Sequence, residues 1–144
     1  MALATNALQL GGVVAASYAQ LAVKNSWTKP QTLLGTQMTL TAGTYTPDAD
    51  VDTNLYLAQA AADANITIAN PTGTPVNGQI MTFVIEQHAS TLRSLTWGSE
   101  FIFVGDTNLD LTQTLNAVDV FTAQYNSNLA RWMVAGVAQN FPRS

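Results

Sequence analysis

Apolar and polar residues alternate in short runs along most of this chain, with the two-residue period of half-buried strands. The clearest run is Gln79-Ile80-Met81-Thr82-Phe83-Val84-Ile85-Glu86-Gln87, introduced by the turn-rich Asn70-Pro71-Thr72-Gly73-Thr74-Pro75-Val76-Asn77-Gly78. Leu95-Thr96-Trp97-Gly98, then residues 101–105, 117–125 and 131–136, continue the series. Upstream, Gln37-Met38-Thr39-Leu40-Thr41 alternates in the same way, and Ala42-Gly43-Thr44 and Thr46-Pro47-Asp48 supply turns. Leu55-Tyr56-Leu57 and Ile66-Thr67-Ile68 flank an Ala-rich link at 58–64. The spacing predicts eight or nine strands, about 8–15 residues apart, with no long amphipathic helix between them. The expected fold is all-β: a single antiparallel β-sandwich or jelly roll over residues 31–144.

Residues 1–30 break that pattern. They are rich in Ala, Leu and Val and interrupted by Gly11-Gly12, which argues against one continuous helix. An N-terminal arm, extended or partly helical around 15–23, is expected. Leu8, Leu10, Val13, Val14, Tyr18 and Leu21 are too apolar to be left in water and need cover from their own domain, a sister subunit or another protein. Trp27, beside Lys24, Asn25, Lys29 and Pro30, reads as an anchor that pins the arm to the body or as part of a subunit contact. These seven are the candidate contact residues. Ala16-Ser17-Tyr18-Ala19 imitates a signal-peptide cleavage site, but no Lys or Arg precedes Lys24, so a signal peptide is not expected.

Charge sharpens the picture. Only 10% of the 144 residues are charged, against about 25% in an ordinary soluble domain, while 47% are hydrophobic. No stretch reaches the ~18 apolar residues a membrane helix needs, so lipid does not explain the deficit and no membrane partner is expected. Thr, Asn, Gln and Ser fill the polar positions and are cheaper to desolvate than Lys or Glu. Such a surface suits permanent contact with other protein and reads as a sign of obligate assembly, the alternative being a monomer with an unusually neutral surface. Net charge is −4, and the five basic residues, Lys24, Lys29, Arg93, Arg131 and Arg143, are scattered, so no nucleic-acid footprint exists. Without cysteine there is no disulfide or thiolate site.

Candidate chemistry is sparse. Asp48, Asp50 and Asp52 have the alternation of a calcium loop, but the sixth and twelfth positions hold Thr53 and Gln59 instead of Gly and Glu. A solvated acidic turn is expected, and no metal site. His88 is the single histidine and begins a loop, so no histidine-centred relay can be assembled. Glu86 and Glu100 are the pair a glycosidase would need, yet nothing in the sequence draws them together. Trp97 and Trp132 lie within strands and are expected to fill the core rather than stack on sugars with Tyr45, Tyr56 or Tyr125. No catalytic residue and no cofactor is expected.

The run Ile66-Thr67-Ile68-Ala69-Asn70-Pro71-Thr72-Gly73-Thr74-Pro75-Val76-Asn77-Gly78-Gln79 resembles the middle of small β-sandwich modules in structural proteins of tailed bacteriophages. Phe83-Val84-Ile85-Glu86-Gln87, Leu95-Thr96-Trp97-Gly98, Ala117-Val118-Asp119-Val120-Phe121 and Arg131-Trp132-Met133-Val134 add to the resemblance, which covers residues 40–141. Where such modules often carry an acidic residue and a glycine pair, this chain has His88-Ala89-Ser90-Thr91-Leu92-Arg93. The resemblance implies a non-enzymatic virion protein on the capsid exterior. It would be a decoration (cement) protein that binds the major capsid protein as a homotrimer. A receptor- or glycan-binding fibre knob is the alternative it leaves open.

Overall fold

The computed structural model describes residues 9–10, 13–14, 35–57 and 64–142. Two compact units divide the chain, Met1–Thr32 and Leu33–Ser144. In the first, β1 (Gln9–Leu10) pairs antiparallel with β2 (Val13–Val14), Leu10 opposite Val13 and Gln9 opposite Val14. Two intervening residues, Gly-Gly in sequence, are the length of a tight hairpin connection.

The second unit is all-β in its described residues except for one short 3-10 turn, Val104–Asp106. Its strands are β3 (Gly35–Gln37), β4 (Thr44–Tyr45), β5 (Asn54–Leu57), β6 (Ile66–Ile68), β7 (Ile80–Glu86), β8 (Leu95–Trp97), β9 (Phe101–Phe103), β10 (Val118–Asn126) and β11 (Arg131–Phe141). A six-stranded sheet has the order β3-β5-β7-β10-β11-β9, and a three-stranded sheet the order β4-β6-β8.

From β3 to β8 the chain alternates between the two sheets. β3, β5 and β7 run parallel in the large sheet, and β4, β6 and β8 run parallel in the small one. β9 then joins the far edge of the large sheet, parallel to β11, and β10 fills the gap antiparallel to both β7 and β11. Antiparallel neighbours throughout, as a jelly roll requires, are therefore not the arrangement. Periodicity and turn spacing locate strands, but they do not say whether a turn folds the chain back or carries it across to the facing sheet. Here most of the turns before β9 carry it across.

One apolar core lies between the sheets. Along β7 the inward set is Met81, Phe83 and Ile85; β10 adds Phe121 and Ala123, and β11 adds Trp132 and Val134. The small sheet faces them with Ile66, Ile68, Leu95 and Trp97. Trp97 is the central ring, edge-on to Phe83 at 5.4 Å, Phe101 at 5.1 Å, Phe103 at 5.7 Å and Phe121 at 5.4 Å. Both strand tryptophans thus fill the core, as their alternation implies.

Boundaries shift where packing outweighs pattern. The expected strand at 37–41 stops at Gln37 because Met38 turns into the core and Thr41 and Thr44 bond to each other's backbone around a tight turn. Thr44, which reads as the end of a turn, instead begins β4 with Tyr45, since β6 lies alongside with Thr67 opposite Thr44.

Candidate functional site

Three loops are fastened to the sheets by buried polar side chains, and together they contain most of the residues with any chemical potential. The first is the acidic turn after Pro47. Asp52 is buried and accepts from the Tyr45 hydroxyl at 2.9 Å and from the Asp48 backbone N–H at 2.8 Å. Asp48 accepts from the Asp50 N–H at 3.0 Å, and Asp50 from the Thr74 N–H at 2.9 Å. Backbone bonds between Ala49 and Thr72 and between Thr72 and Pro47 zip this turn to the Asn70–Thr74 stretch. Gly73, at φ +83, sits so close that a Cβ there would lie 2.6 Å from an Asp48 carboxylate oxygen. The turn is acidic but not merely solvated: Asp50 is exposed, whereas Asp52 is a buried clamp. Burial first, and then the hydrogen bond and charge of Asp52 with the charge of Asp48, push the Tyr45 phenol well above its ordinary value. Among the described residues no cluster of His, Asp or Glu could hold a metal ion.

The second loop follows β7. Gln87 is fully buried; its carbonyl oxygen accepts from the N–H groups of His88 (3.0 Å) and Arg93 (2.9 Å), and its amide donates to the Arg93 carbonyl at 2.9 Å. His88 Nδ1 accepts from the backbone N–H groups of Ser90 (3.2 Å) and Thr91 (3.1 Å). With Nδ1 occupied as a turn acceptor, His88 acts as a local cap. The third loop, after β9, is held by Asp119 and Asp110. Asp119, on β10 and fully buried, accepts from the Thr112 N–H and hydroxyl and from the Asn140 N–H at 2.9 Å. Asp110 accepts from the N–H groups of Leu95 and Leu111.

Glu86 and Glu100 lie at opposite ends of the large sheet. Trp132 donates its N–H to the Glu100 carbonyl, pairs with Tyr125, and Tyr125 in turn bonds Gln79. Glu100 is therefore level with Gln79, seven residues before Glu86, or about 23 Å at about 3.3 Å per residue. Paired glycosidase carboxylates stand about 5–9.5 Å apart. The structure does not bring this pair together.

Of the seven candidate contact residues, Leu10, Val13 and Val14 belong to the β1–β2 hairpin. Leu8, Tyr18, Leu21 and Trp27 lie outside the described residues. The clamps Gln87 and Asp119 were missed in the sequence, although the two-residue period places both on the inward side of their strands, in line with Ile85 and Phe121. The remaining feature is an apolar hollow of about 280 Å3 between β9 and β11, walled by Ile102, Phe103, Val104, Met133, Val134 and Ala135. No protein-family model matches the chain, and no curated protein or solved structure is significantly similar to it.

Proposed function

We propose that this chain is a non-enzymatic structural protein of a phage virion: a capsid decoration protein that binds the outer shell as a homotrimer and stabilises it. In this picture the two facing sheets are the outward body, a β-sandwich in the broad sense, and residues 1–30 are the arm that attaches to the major capsid protein or threads between subunits. The support is the family resemblance together with one structural observation. Among the described residues, the buried polar side chains Asp52, Gln87 and Asp119 are each spent on fastening a loop to the sheets. A body whose buried polar groups rigidify its loops suits a role in which shape and permanent contact matter. Clamping would proceed by burial of apolar surface, worth about 25 cal/mol per Å2, against the outward pressure of packaged DNA.

The fibre-knob alternative needs exposed rings in the loops, whereas Trp97 and Trp132 are buried in the core. Deleting the residues before Gln31 tests the decoration role. The shortened protein should stay folded by circular dichroism yet fail to co-sediment with capsid shells. Continued decoration of shells without the arm would contradict it.

A further inference from the structure

Asn77-Gly78 is the one Asn-Gly pair in the chain, and both residues are exposed. Such a pair carries its own chemistry. Glycine has no side chain to shield its backbone nitrogen, and its rotational freedom lets that nitrogen reach the asparagine amide. The Gly78 nitrogen gives its proton to a solvent base and attacks Asn77 Cγ. The new N–Cγ bond closes a five-membered succinimide, the Cγ–Nδ2 bond breaks, and ammonia leaves with a proton from water. Water then opens the ring at either carbonyl and leaves aspartate or isoaspartate. No cofactor is needed, so at a given pH the local geometry decides the rate.

The fold sets that geometry against the reaction. Gln79 donates its N–H to the Val76 carbonyl at 3.0 Å, and Gly78 has φ +83 while Asn77 keeps a negative φ. These are the marks of a type II turn with Asn77 second and Gly78 third, which gives Asn77 a ψ of about +120°. Ring closure needs the Gly78 nitrogen eclipsed with Asn77 Cβ, and this ψ turns it well out of that plane. Further bonds hold the turn there. The Gly78 N–H, which must be freed before the attack, is donated to the Tyr125 carbonyl at 2.9 Å. Asn77 Oδ1 accepts from the Ser127 N–H at 3.0 Å, which fixes the amide against the turn between β10 and β11. Gln79 Oε1 accepts from the Val76 N–H at 3.0 Å, and Gln79 Nε2 donates to the Ala49 carbonyl. A donor on Asn77 Oδ1 also polarises the amide toward attack, but polarisation adds nothing while the nucleophile faces elsewhere.

We propose that Asn77 is a spontaneous deamidation site that this turn keeps closed, so that modification proceeds only when the corner between the start of β7 and the end of β10 opens locally. The rate in the folded chain is then the intrinsic rate multiplied by the fraction of time the corner is open. The two products differ in what they leave behind. Aspartate keeps an acceptor for the Ser127 N–H. Isoaspartate adds one methylene to the backbone before Gly78, moves the Gly78 N–H away from Tyr125 and prevents the turn from closing again. Deamidation thus makes a transient opening permanent. The site belongs to the β-body alone and does not depend on the decoration role.

Peptide mapping by mass spectrometry tests it on the full chain, incubated in mildly alkaline buffer with and without guanidinium chloride. Asn77 should convert about tenfold or more slowly in the folded chain than in the unfolded one, and both aspartate and isoaspartate should form. Gln79→Ala removes two of the holding bonds without touching the reacting residues. It should raise the folded-state rate severalfold and convert like the wild type in guanidinium. Equal rates in the folded and unfolded wild type would overturn the closed turn, and this comparison decides the matter if Gln79→Ala does not fold by circular dichroism. A folded Gln79→Ala chain that converts no faster than the wild type would overturn control by these bonds. An unfolded chain in which Asn77 stays intact would overturn the site itself.

Discussion

Thr112 gives both its backbone N–H, at 2.6 Å, and its hydroxyl, at 2.8 Å, to the buried carboxylate of Asp119. With the Asn140 N–H as a third donor, one side chain on β10 ties the loop after β9 to the end of β11. Asp119→Ala would leave three donors without their acceptor in a buried site. An unsatisfied buried group costs about 1–3 kcal/mol, and a lost bond to a charged group lies at the upper end. We expect a loss of about 3 kcal/mol or more in urea unfolding, with a melting temperature lower by about 10 °C.

The two strand tryptophans should respond differently to truncation. Trp97 Nε1 donates to the Leu109 carbonyl at 2.9 Å, while Trp132 Nε1 is buried without a partner and Trp132 packs against Tyr125 at 5.2 Å. Trp97→Phe removes ring area and also leaves the Leu109 carbonyl unpaired. Trp132→Phe removes ring area alone. Chemical denaturation should therefore find Trp97→Phe costlier by about 1 kcal/mol. Equal costs would mean that the Leu109 bond contributes nothing.

Gly98 is fixed by its neighbour rather than by its own dihedral angles. A Cβ there would lie 2.5 Å from the Asn70 backbone nitrogen and 2.9 Å from the Ala69 carbonyl carbon, and backbone cannot move aside cheaply. Asn70 also accepts from the Glu100 N–H at 2.9 Å, so displacing it would disturb the entry to β9. Gly98→Ala should cost about 2 kcal/mol, as overpacking does. Gly105, at φ +69, has nothing within 4 Å of a Cβ, so Gly105→Ala should cost only the backbone strain, about 1 kcal/mol. Thermal melts of the two variants should keep that order.

Alkaline pH should expose the Tyr45–Asp52 pair. The folded chain holds the Tyr45 proton more tightly than an unfolded chain, whose tyrosines titrate near ~10. The contribution is fully present below that pH. As pH rises further, the unfolded chain releases a proton that the folded chain retains, and stability falls. Melting temperature should drop above about pH 10 in the wild type and drop less in Tyr45→Phe. At neutral pH the same substitution should cost about 1 kcal/mol, because Asp52 loses a donor.

Much of this architecture is written in the period of the chain. Met81, Phe83 and Ile85 alternate inward as their spacing requires, and Trp97 and Trp132 occupy the core that their strands predict. What escapes is connectivity. Short polar turns serve both a hairpin at Asn126–Arg131 and a crossover between Tyr45 and Asn54, because a turn's composition fixes its local dihedral angles and not the sheet its next strand joins. The clamps were half legible. Gln87 and Asp119 stand at inward positions by period, but their partners, Arg93, Thr112 and Asn140, lie on loops that only the tertiary fold brings near. The acidic turn was legible as a turn, and the burial of Asp52 was not, since it depends on Tyr45 being in β4.

Cryo-electron microscopy of purified particles of the phage proposed to carry this chain is the most direct measurement of its proposed role. The prediction is density for the two-sheet body on the outer capsid surface, in groups of three, with its N-terminal segment against the shell. Its absence from the particle, or its location at a fibre tip, would contradict the decoration role.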